Sequence, residues 1–171
     1  PTHSVEHRAT IQALRGTARR ALALEAEAAE YETELERLVV AICPVLLEQP
    51  GIGAITAAQF LVSWSHLGRI RSEAAFAALA GASPIPASSG QVTRHRLNRS
   101  GDRQLNRALH TVALCRLRIH EPTKTYAERR TQEGKSARDI KRCLKRAIAR
   151  EVYRLMNAQA AAVTRNLPKA A

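Results

Sequence analysis

The chain has 171 residues, so one domain with or without an appendage is expected, and 45% apolar residues are enough for a core. Only 4% of the residues are aromatic and 31 are alanine, which favours an all-helical protein because alanine has the highest helix propensity. The sequence contains no secretory signal and no apolar run near the ~18 residues that cross a membrane. Composition therefore excludes a membrane protein and predicts a helical protein.

The positive charge is concentrated in one part of the chain. The net charge is +12, yet residues 1–88 carry 7 Lys and Arg against 9 Asp and Glu. Residues 89–150 carry 17 against 5, and residues 151–171 carry 3 against 1. A charge that served only solubility would not be concentrated in this way. We therefore predict a basic face for a polyanionic partner, most often a nucleic acid.

The cysteines give no sign of a metal site. Cys43, Cys115 and Cys143 lie far apart within helical patterns, with no CxxC and no paired histidines. We interpret them as buried free thiols in a reducing compartment rather than as ligands. The chain begins at Pro1 without a methionine, so we expect it to be part of a longer protein.

Residues 5–42 predict one long helix, within an N-terminal arm over residues 1–43. Apolar or small residues recur three and four apart, as in a coiled-coil seam. They are Leu14, Thr17, Ala21, Leu24, Ala28, Tyr31, Leu35, Leu38 and Ile42. Two interpretations remain open: an arm that pairs chains into a homodimer or higher homo-oligomer, and a helix that folds back onto its own domain.

A compact helical domain is predicted over residues 44–157, beginning with Pro44, which ends or kinks the long helix. Residues 46–64 have the pattern of a helix-hairpin-helix. In that motif the glycines, here Gly51 and Gly53, bring backbone N–H groups to a nucleic-acid phosphate. The same hairpin also occurs as a packing unit without any phosphate.

The stretch from residue 81 to 107 is the most distinctive in the chain. A short helix capped by Ser72 ends at Gly81, and prolines and the Ser88-Ser89-Gly90 step then predict an irregular loop. Five arginines follow with little opposing charge: Arg94, Arg96, Arg99, Arg103 and Arg107. Serines facing guanidinium groups could hold a phosphodiester, and a polar loop before a solvated basic helix is the other interpretation.

Three further helices are expected. The step Ser100-Gly101-Asp102 starts one that runs to about His120, with Ser100 as the expected cap. Its predicted buried face is formed by Leu105, Leu109, Val112 and Ile119. A short helix from Thr123 to Arg130 and a last one over residues 136–157 follow. The last helix is predicted to have one apolar stripe, formed by Ile140, Leu144, Ile148 and Leu155. A broad basic arc is predicted on its opposite side, formed by Arg138, Lys141, Arg142, Lys145, Arg146, Arg150 and Arg154. The turn and the last helix supply further basic residues, and residues 158–171 are expected to fray. The predicted nucleic-acid contacts here are Lys135, Lys141, Arg142 and Lys145.

The order of these parts resembles the C-terminal half of the transposases of the IS110 group of insertion sequences, also called DEDD transposases. The resemblance covers residues 14–157. It rests on the long acidic helix, the PGIG hairpin, LAG followed by proline and SSG, the Ser-Gly-Asp-Arg step and the Leu-Asn-Arg-Ala-Leu helix. Pro122, Tyr126, Arg129, Gly134-Lys135 and the Ala149-Arg150 run complete the series.

The resemblance implies a DNA recombinase that uses a guide RNA to choose donor and target DNA. It implies a serine nucleophile in the Ser-Gly pair after the proline turn, here Ser89, with Ser88 as the reserve. It also implies an N-terminal RuvC-like domain whose carboxylates bind Mg²⁺, and the present residues contain no such cluster. The fragment is therefore expected to need no cofactor and to be inactive alone.

Two departures and two competing functions accompany this reading. Ser100 runs straight into Gly101, where the family often has Ser-Lys-x-Gly, and the carboxylate cluster suited to Mg²⁺ is missing. The sequence does not identify the general base. His95 is the nearest titratable candidate, and a phosphate contact is its more common role. The alternatives are a non-catalytic nucleic-acid-binding helix-hairpin-helix domain, and a coiled-coil oligomerisation module with an incidental basic face.

Overall fold

The structure is a computed structural model that describes residues 4–86, 95–96, 98 and 100–166. The helices found there are α1 (Val5–Ile42), α2 (Ala54–Trp64), α3 (Glu73–Leu79), α4 (Arg103–Ile119), α5 (Glu121–Gln132) and α6 (Ala137–Asn166), with a 3₁₀ turn at Pro44–Leu46. Two short segments, β1 (Ile85–Pro86) and β2 (His95–Arg96), pair antiparallel. The predicted all-α class, with a long first helix and a compact helical part, is confirmed.

Helix α1 stands away from the compact part over most of its length. The Ser4 side chain accepts a hydrogen bond from the His7 N–H at 3.2 Å and caps the helix. Val39, in the last turn, is the only buried residue of the helix. The prediction that α1 folds back onto its own domain is therefore wrong for residues 5–31, all of which are described.

The chain turns sharply after α1. Pro44 begins a 3₁₀ turn, as expected of a residue that cannot continue an α-helix, and Leu46 in that turn is fully buried. Residues 47–53 form turns and α2 then begins at Ala54. Since residues 46–64 contain a single α-helix, the predicted helix-hairpin-helix is not confirmed.

The core lies between α2, α4 and α6, and α3 and the end of α1 close it. The α4 face predicted from Leu105, Leu109 and Val112 is fully buried. Ile119, assigned to the same face, is instead 66% exposed because α4 ends there and the chain leaves the core. The other large side chains that are fully buried include Phe60, Phe76, Val152 and Met156.

An ion pair between the buried Arg116 and the partly exposed Glu151 joins three parts of this core. The Arg116 guanidinium on α4 donates to both carboxylate oxygens of Glu151 on α6, at 2.7 and 3.0 Å. Its Nε also donates to the Pro50 carbonyl at 2.8 Å, which fixes the turn before α2. Removing Glu151 would leave the buried Arg116 guanidinium without its charged partner. The sequence analysis had not singled out Arg116.

The start of α4 differs from the prediction. The N-cap is Asp102, whose side chain accepts the N–H groups of Gln104 and Leu105 at 2.9 and 3.0 Å. Asp102 also accepts a 2.6 Å hydrogen bond from the Ser63 hydroxyl on α2. Ser100 instead donates to the Asn98 side chain at 2.6 Å. Asp102, rather than Ser100, therefore caps α4 and links it to α2.

Replacing Asp102 with alanine is expected to destabilise the protein by about 1–2 kcal/mol, since an N-cap and an interhelical hydrogen bond are lost. Ser100→Ala removes a hydroxyl from an exposed residue and should cost less. Burial raises the pKa of Asp102, but the hydrogen bonds from Ser63, Leu105 and Gln104 outweigh it and leave that pKa below its ordinary value.

This Asp102 contribution is present above the unfolded-state pKa and lost as pH falls through the lower folded-state pKa. Urea unfolding of the two variants and the wild-type chain at pH 7 and at acidic pH checks both statements. If Ser100→Ala were less stable than Asp102→Ala, Ser100 rather than Asp102 would be the N-cap of α4.

The last two helices extend further than predicted. Helix α5 begins at Glu121 with Pro122 in its first turn, where the missing N–H costs nothing. Helix α6 continues to Asn166, nine residues beyond the predicted end at 157. Its buried positions include the predicted Ile140, Leu144 and Ile148. In the part of the chain that is described, no helix is long and apolar enough to cross a membrane.

Candidate functional site

The two ends of the distinctive loop meet at a closely packed crossing, which we call the neck: residues 81–86, 95–96, 98 and 100–102. Ile85 pairs with Arg96 and Pro86 with His95. The Asp102 N–H donates to the Leu79 carbonyl at 2.7 Å. A loop that leaves and returns through such a crossing has both of its ends fixed, whatever the conformation of the residues between them.

Two glycines allow the neck strands to approach so closely. Gly81 has φ +63°, and a Cβ built on it would lie 2.8 Å from the Ser100 carbonyl oxygen. Gly101 has φ +111°, and a Cβ there would overlap the Leu79 carbonyl oxygen. Both positions combine a backbone conformation that favours glycine with a lack of space for any side chain. The glycines noted in the sequence as turn residues therefore have a second role in packing.

Asn106 connects the neck to α6. Its side-chain amide donates to the Ala80 carbonyl at 2.6 Å, and its carbonyl oxygen accepts from the Lys145 ammonium at 2.9 Å. Lys145 is half-buried, and burial followed by the charge of Arg142 lowers its pKa below the ordinary value. The predicted contact Lys145 thus has a fixed position beside the neck.

A cavity of about 270 Å³ lies between the neck and α6. Residues 81–84 and Asn98 form one wall, and Arg142, Lys145 and Arg146 lie on the other. Asp139 also lines it and receives a 2.9 Å hydrogen bond from Arg142. Three cations against one carboxylate make this cavity, hereafter the neck cavity, suited to an anionic group such as a phosphate.

His110 lies near the lysines of α6 on the same side of α4. Burial lowers the pKa of His110, and the charges of Lys145 and Lys141 lower it further. The lowered pKa favours the neutral imidazole. Asp102, Asn106 and His110 follow one another at intervals of four along α4, and this polar stripe beside buried leucines could have been recognised in the sequence.

A second, wider groove of about 440 Å³ lies where α2 begins. Gly51, Gly53 and Arg107 line it with Glu32 and other residues. The Gly53 N–H already donates to the Thr56 hydroxyl at 3.1 Å, and a Cβ on Gly51 would lie 3.0 Å from that of Cys115. The two glycines thus serve helix capping and packing, and the groove is less cationic than the neck cavity.

The remaining predicted contacts do not gather at one place. Arg103 is exposed on α4, Lys135 is exposed in the turn before α6, and Arg96 lies in β2. Ser88, Ser89, Arg94 and Arg99 lie outside the described residues, as does most of the loop. The broad basic arc predicted for α6 is narrower than expected. Arg150 and Arg154 belong to it, but they pair with Glu73 at 2.6 and 3.4 Å.

The cysteines are not brought together. Cys43 is buried, Cys115 is partly buried and Cys143 is exposed, so the expectation that all three are buried is wrong for Cys143. Among the described residues, no three His, Cys, Asp or Glu side chains form a group that could hold a metal ion.

The fold and the site define a small helical domain that holds a loop by a fixed neck beside a cationic cavity. Residues 43–128 match the Transposase IS116/IS110/IS902 family. The chain belongs to this family, which confirms the resemblance stated from the sequence.

Two curated relatives come from bacterial insertion elements. The chain is 33% identical over 93 residues to the "Insertion element IS900 uncharacterized 42 kDa protein" of Mycobacterium paratuberculosis, a match that covers 53% of this chain and 23% of that protein. It is 32% identical over 108 residues to the "Insertion element IS110 uncharacterized 43.6 kDa protein" of Streptomyces coelicolor, covering 61% and 27%. The matched region thus spans about a quarter of each relative.

Proposed function

We propose that this chain is the DNA-binding and serine-nucleophile domain of an insertion-sequence transposase that cleaves and transfers DNA strands. Membership of the transposase family supports the class of reaction. The observation that carries the proposal for this domain is the neck cavity, because its three cations lie where the loop with Ser88 and Ser89 leaves and re-enters the fold.

The proposed chemistry is a transesterification at a DNA phosphodiester. The Ser89 hydroxyl oxygen forms a bond to phosphorus as the bond to one sugar oxygen breaks, leaving a phosphoserine link and a free sugar hydroxyl. A base takes the serine proton and the departing sugar oxygen gains one. A sugar hydroxyl of another strand then attacks the phosphoserine, which restores a phosphodiester and frees the serine.

The cations would stabilise charge on the phosphate oxygens during this step. Arg142 and Arg146 are exposed and line the cavity, whereas Lys145 is held by Asn106 and needs no further ordering to face a phosphate. His95 stays a candidate base or phosphate contact. His110 lies on α4 beside Lys141 and Lys145 of α6 and is not proposed as the base.

The metal part of the reaction is proposed to lie outside this chain. Mg²⁺ would be held by the carboxylates of an N-terminal RuvC-like domain, and a guide RNA would select the DNA in the bacterial cytoplasm, at the nucleoid. The 171-residue chain is then expected to bind DNA and to cleave none. The alternative of a non-catalytic helix-hairpin-helix domain has less support, because residues 46–64 contain a single α-helix.

The DNA-binding part of the proposal is tested with two double variants of α6 that remove equal charge. Arg142→Ala with Arg146→Ala takes two cations from the neck cavity. Arg150→Ala with Arg154→Ala, the matched control, takes two that pair with Glu73. The cavity variant is expected to lose about tenfold in affinity for duplex DNA and to lower the salt slope by about 0.9 for each lost phosphate contact.

Fluorescence anisotropy of a labelled duplex at several salt concentrations measures both quantities. The control variant should lose less than about threefold, because Arg142 and Arg146 line the neck cavity whereas Arg150 and Arg154 lie against Glu73. Equal losses in the two variants would mean that α6 binds DNA through its general charge. An affinity that does not change with salt in any variant would contradict the basic-face proposal.

A further inference from the structure

A cavity of about 260 Å³ between α5 and α6 has no role in the proposed function, and we call it the α5 pocket. Helix α5 contributes Pro122, Thr123 and Tyr126 to its lining, and α6 contributes Cys143 and Ala147 among others. Cys143 also lines the neck cavity. The two cavities are therefore neighbours along α6, one of them cationic and the other largely apolar.

The two buried polar residues that line the α5 pocket already have partners. The Thr123 hydroxyl lies 2.8 Å from a ring nitrogen of His120. Arg116 also lines the pocket, and its guanidinium is occupied by Glu151 and by the Pro50 carbonyl. A ligand in the pocket therefore meets contact surface but few free hydrogen-bonding groups.

Tyr126 gives the α5 pocket an aromatic wall. The guanidinium carbons of Arg129 and Arg130 lie 5.6 and 6.0 Å from the centre of its ring. Burial raises the pKa of Tyr126 and the neighbouring Cys143 raises it further, while Arg130 and Arg129 oppose this shift. The phenol is therefore neutral at pH 7. Aromatic rings and arginines are the side chains on which bases stack in proteins that bind single strands.

The size of the α5 pocket suits one base. Pockets that hold drug-sized molecules begin at about 300 Å³, so a slightly smaller cavity suits a single ring system rather than a base pair. A base within a duplex must leave the stack before it can enter any pocket, whereas a base that is already unpaired avoids this cost. The pocket therefore favours a strand that is locally single.

We propose that the α5 pocket takes one unpaired base of the DNA strand whose phosphate lies in the neck cavity. The inference rests on the proposed function, which places that phosphate. Cys143 lines both cavities, so a base and a phosphate that are neighbours in one strand can occupy them together. Because the buried polar groups of the pocket are already paired, it accepts a base without reading which base it is. The substrate is thus a strand that is unpaired beside the bound phosphate.

Single DNA strands of equal length and charge test the inference in the 171-residue chain. One contains only thymines, one contains only cytosines, and one is abasic throughout. Fluorescence anisotropy is expected to show that the thymine strand binds about tenfold more tightly than the abasic strand, because only the thymine strand can stack. The thymine and cytosine strands should differ by less than about threefold, since stacking tolerates any base. Equal affinities for the thymine and abasic strands would overturn the proposal.

Filling the α5 pocket separates its contribution from that of the remaining surface. Ala147 is an exposed residue of α6, so Ala147→Leu adds a side chain to the pocket without burying one in the core. This variant is expected to bind the thymine strand about fivefold more weakly and the abasic strand within about twofold of the wild type. Ala158→Leu, at an exposed position about three turns further along α6, is the matched control and should change neither affinity. Wild-type affinity of Ala147→Leu for the thymine strand would overturn the proposal.

Two substitutions of Tyr126 test the aromatic wall. Tyr126→Phe keeps the ring and should bind the thymine strand within about twofold of the wild type, whereas Tyr126→Leu removes it and should bind about fivefold more weakly. Both variants should bind the abasic strand as the wild type does, which also shows that they fold. Equal affinities of the two variants for the thymine strand would contradict a base stacked at this wall.

The double variant Arg142→Ala with Arg146→Ala distinguishes a failure of this inference from a failure of the proposed function. It should weaken binding of the thymine and abasic strands alike, because both carry the phosphates that the neck cavity is proposed to bind. If it weakens both while Ala147→Leu weakens neither, the base pocket is wrong and the phosphate site stands. If it weakens neither strand, the phosphate site is wrong, and the inference that rests on it is overturned as well.

Discussion

A full-length transposase that carries Ser89→Ala is expected to lose strand transfer and covalent DNA attachment completely, while its folding and DNA affinity change little. The reason is chemical: the substitution removes the hydroxyl oxygen proposed to form the phosphoserine bond and leaves every cation of the neck cavity in place. Losing a nucleophile has a far larger effect than losing one phosphate contact. Recombination assayed on donor and target DNA, with DNA binding measured in parallel, checks this prediction.

Two serines nearby are the controls for this experiment. Ser88→Ala should be mild, because the resemblance places the nucleophile next to the glycine. Ser100→Ala loses a hydrogen bond to Asn98 but no reacting group and should also recombine. If Ser88→Ala were the inactive variant, the nucleophile would be the reserve residue. Recombination that survives in Ser89→Ala would move it elsewhere.

Gly101→Ala is expected to have the largest effect on folding among substitutions of the glycines that the structure describes. A Cβ at this position overlaps the Leu79 carbonyl and lies 3.0 Å from the Gly81 nitrogen, both of which are backbone atoms. With φ at +111°, the backbone strain adds to this overlap. We expect a loss of about 3 kcal/mol or more in the free energy of unfolding, measured with urea.

Substitutions at two other glycines distinguish the cost of backbone strain from the cost of atomic overlap. Gly134 has φ +78° with nothing within 4 Å of a new Cβ, so Gly134→Ala should cost only about 1–2 kcal/mol. Gly16 lies within α1 with no atom within 4 Å and ordinary helical geometry, so Gly16→Ala should stabilise the helix by up to about 1 kcal/mol. A Gly101→Ala variant as stable as Gly134→Ala would mean that the residues of the neck can move apart without a loss in the free energy of unfolding.

The parts of this fold that could be predicted are those fixed by local signals. The long helix over residues 5–42 follows from its heptad spacing and ends where Pro44 requires. Helix α3 begins after its Ser72 cap and is followed by Gly81 with positive φ, as the sequence indicated. The buried face of α4 follows from a period that is maintained through Val112.

The parts that could not be predicted depend on contacts between distant segments. Ser100 and Asp102 are equally plausible caps by residue type, and the hydrogen bond from Ser63, thirty-nine residues away, favours Asp102. Arg150, on the basic arc of α6, pairs with Glu73, which lies seventy-seven residues earlier in the sequence. This pairing narrows the arc, and the periodicity of a helix cannot predict such a pairing. Periodicity gives the face of a helix but not its partner in space.

The candidate site shows the same division. The sequence predicted Arg142 and Lys145 on a basic face, and the structure places both beside the neck. Asn106 holds Lys145 there through hydrogen bonds to Lys145 and to the Ala80 carbonyl. The sequence pattern of the PGIG turn predicted two helices, and tertiary packing of Gly51 against Cys115 and Arg116 accounts for the turn without a second one. The serine itself was proposed from the resemblance, and Ser89 lies outside the described residues.

Mass spectrometry of the trapped protein–DNA adduct tests directly whether Ser89 is the residue that becomes bonded to DNA. The full-length protein is incubated with its DNA, the adduct is digested with nuclease and trypsin, and the peptide from Ser72 to Arg94 is fragmented. We expect a nucleotide-phosphate attached to Ser89, shown by fragment ions that shift after Ser88 and not before it. An adduct on any other residue, or no covalent adduct in a protein that recombines DNA, would contradict the account.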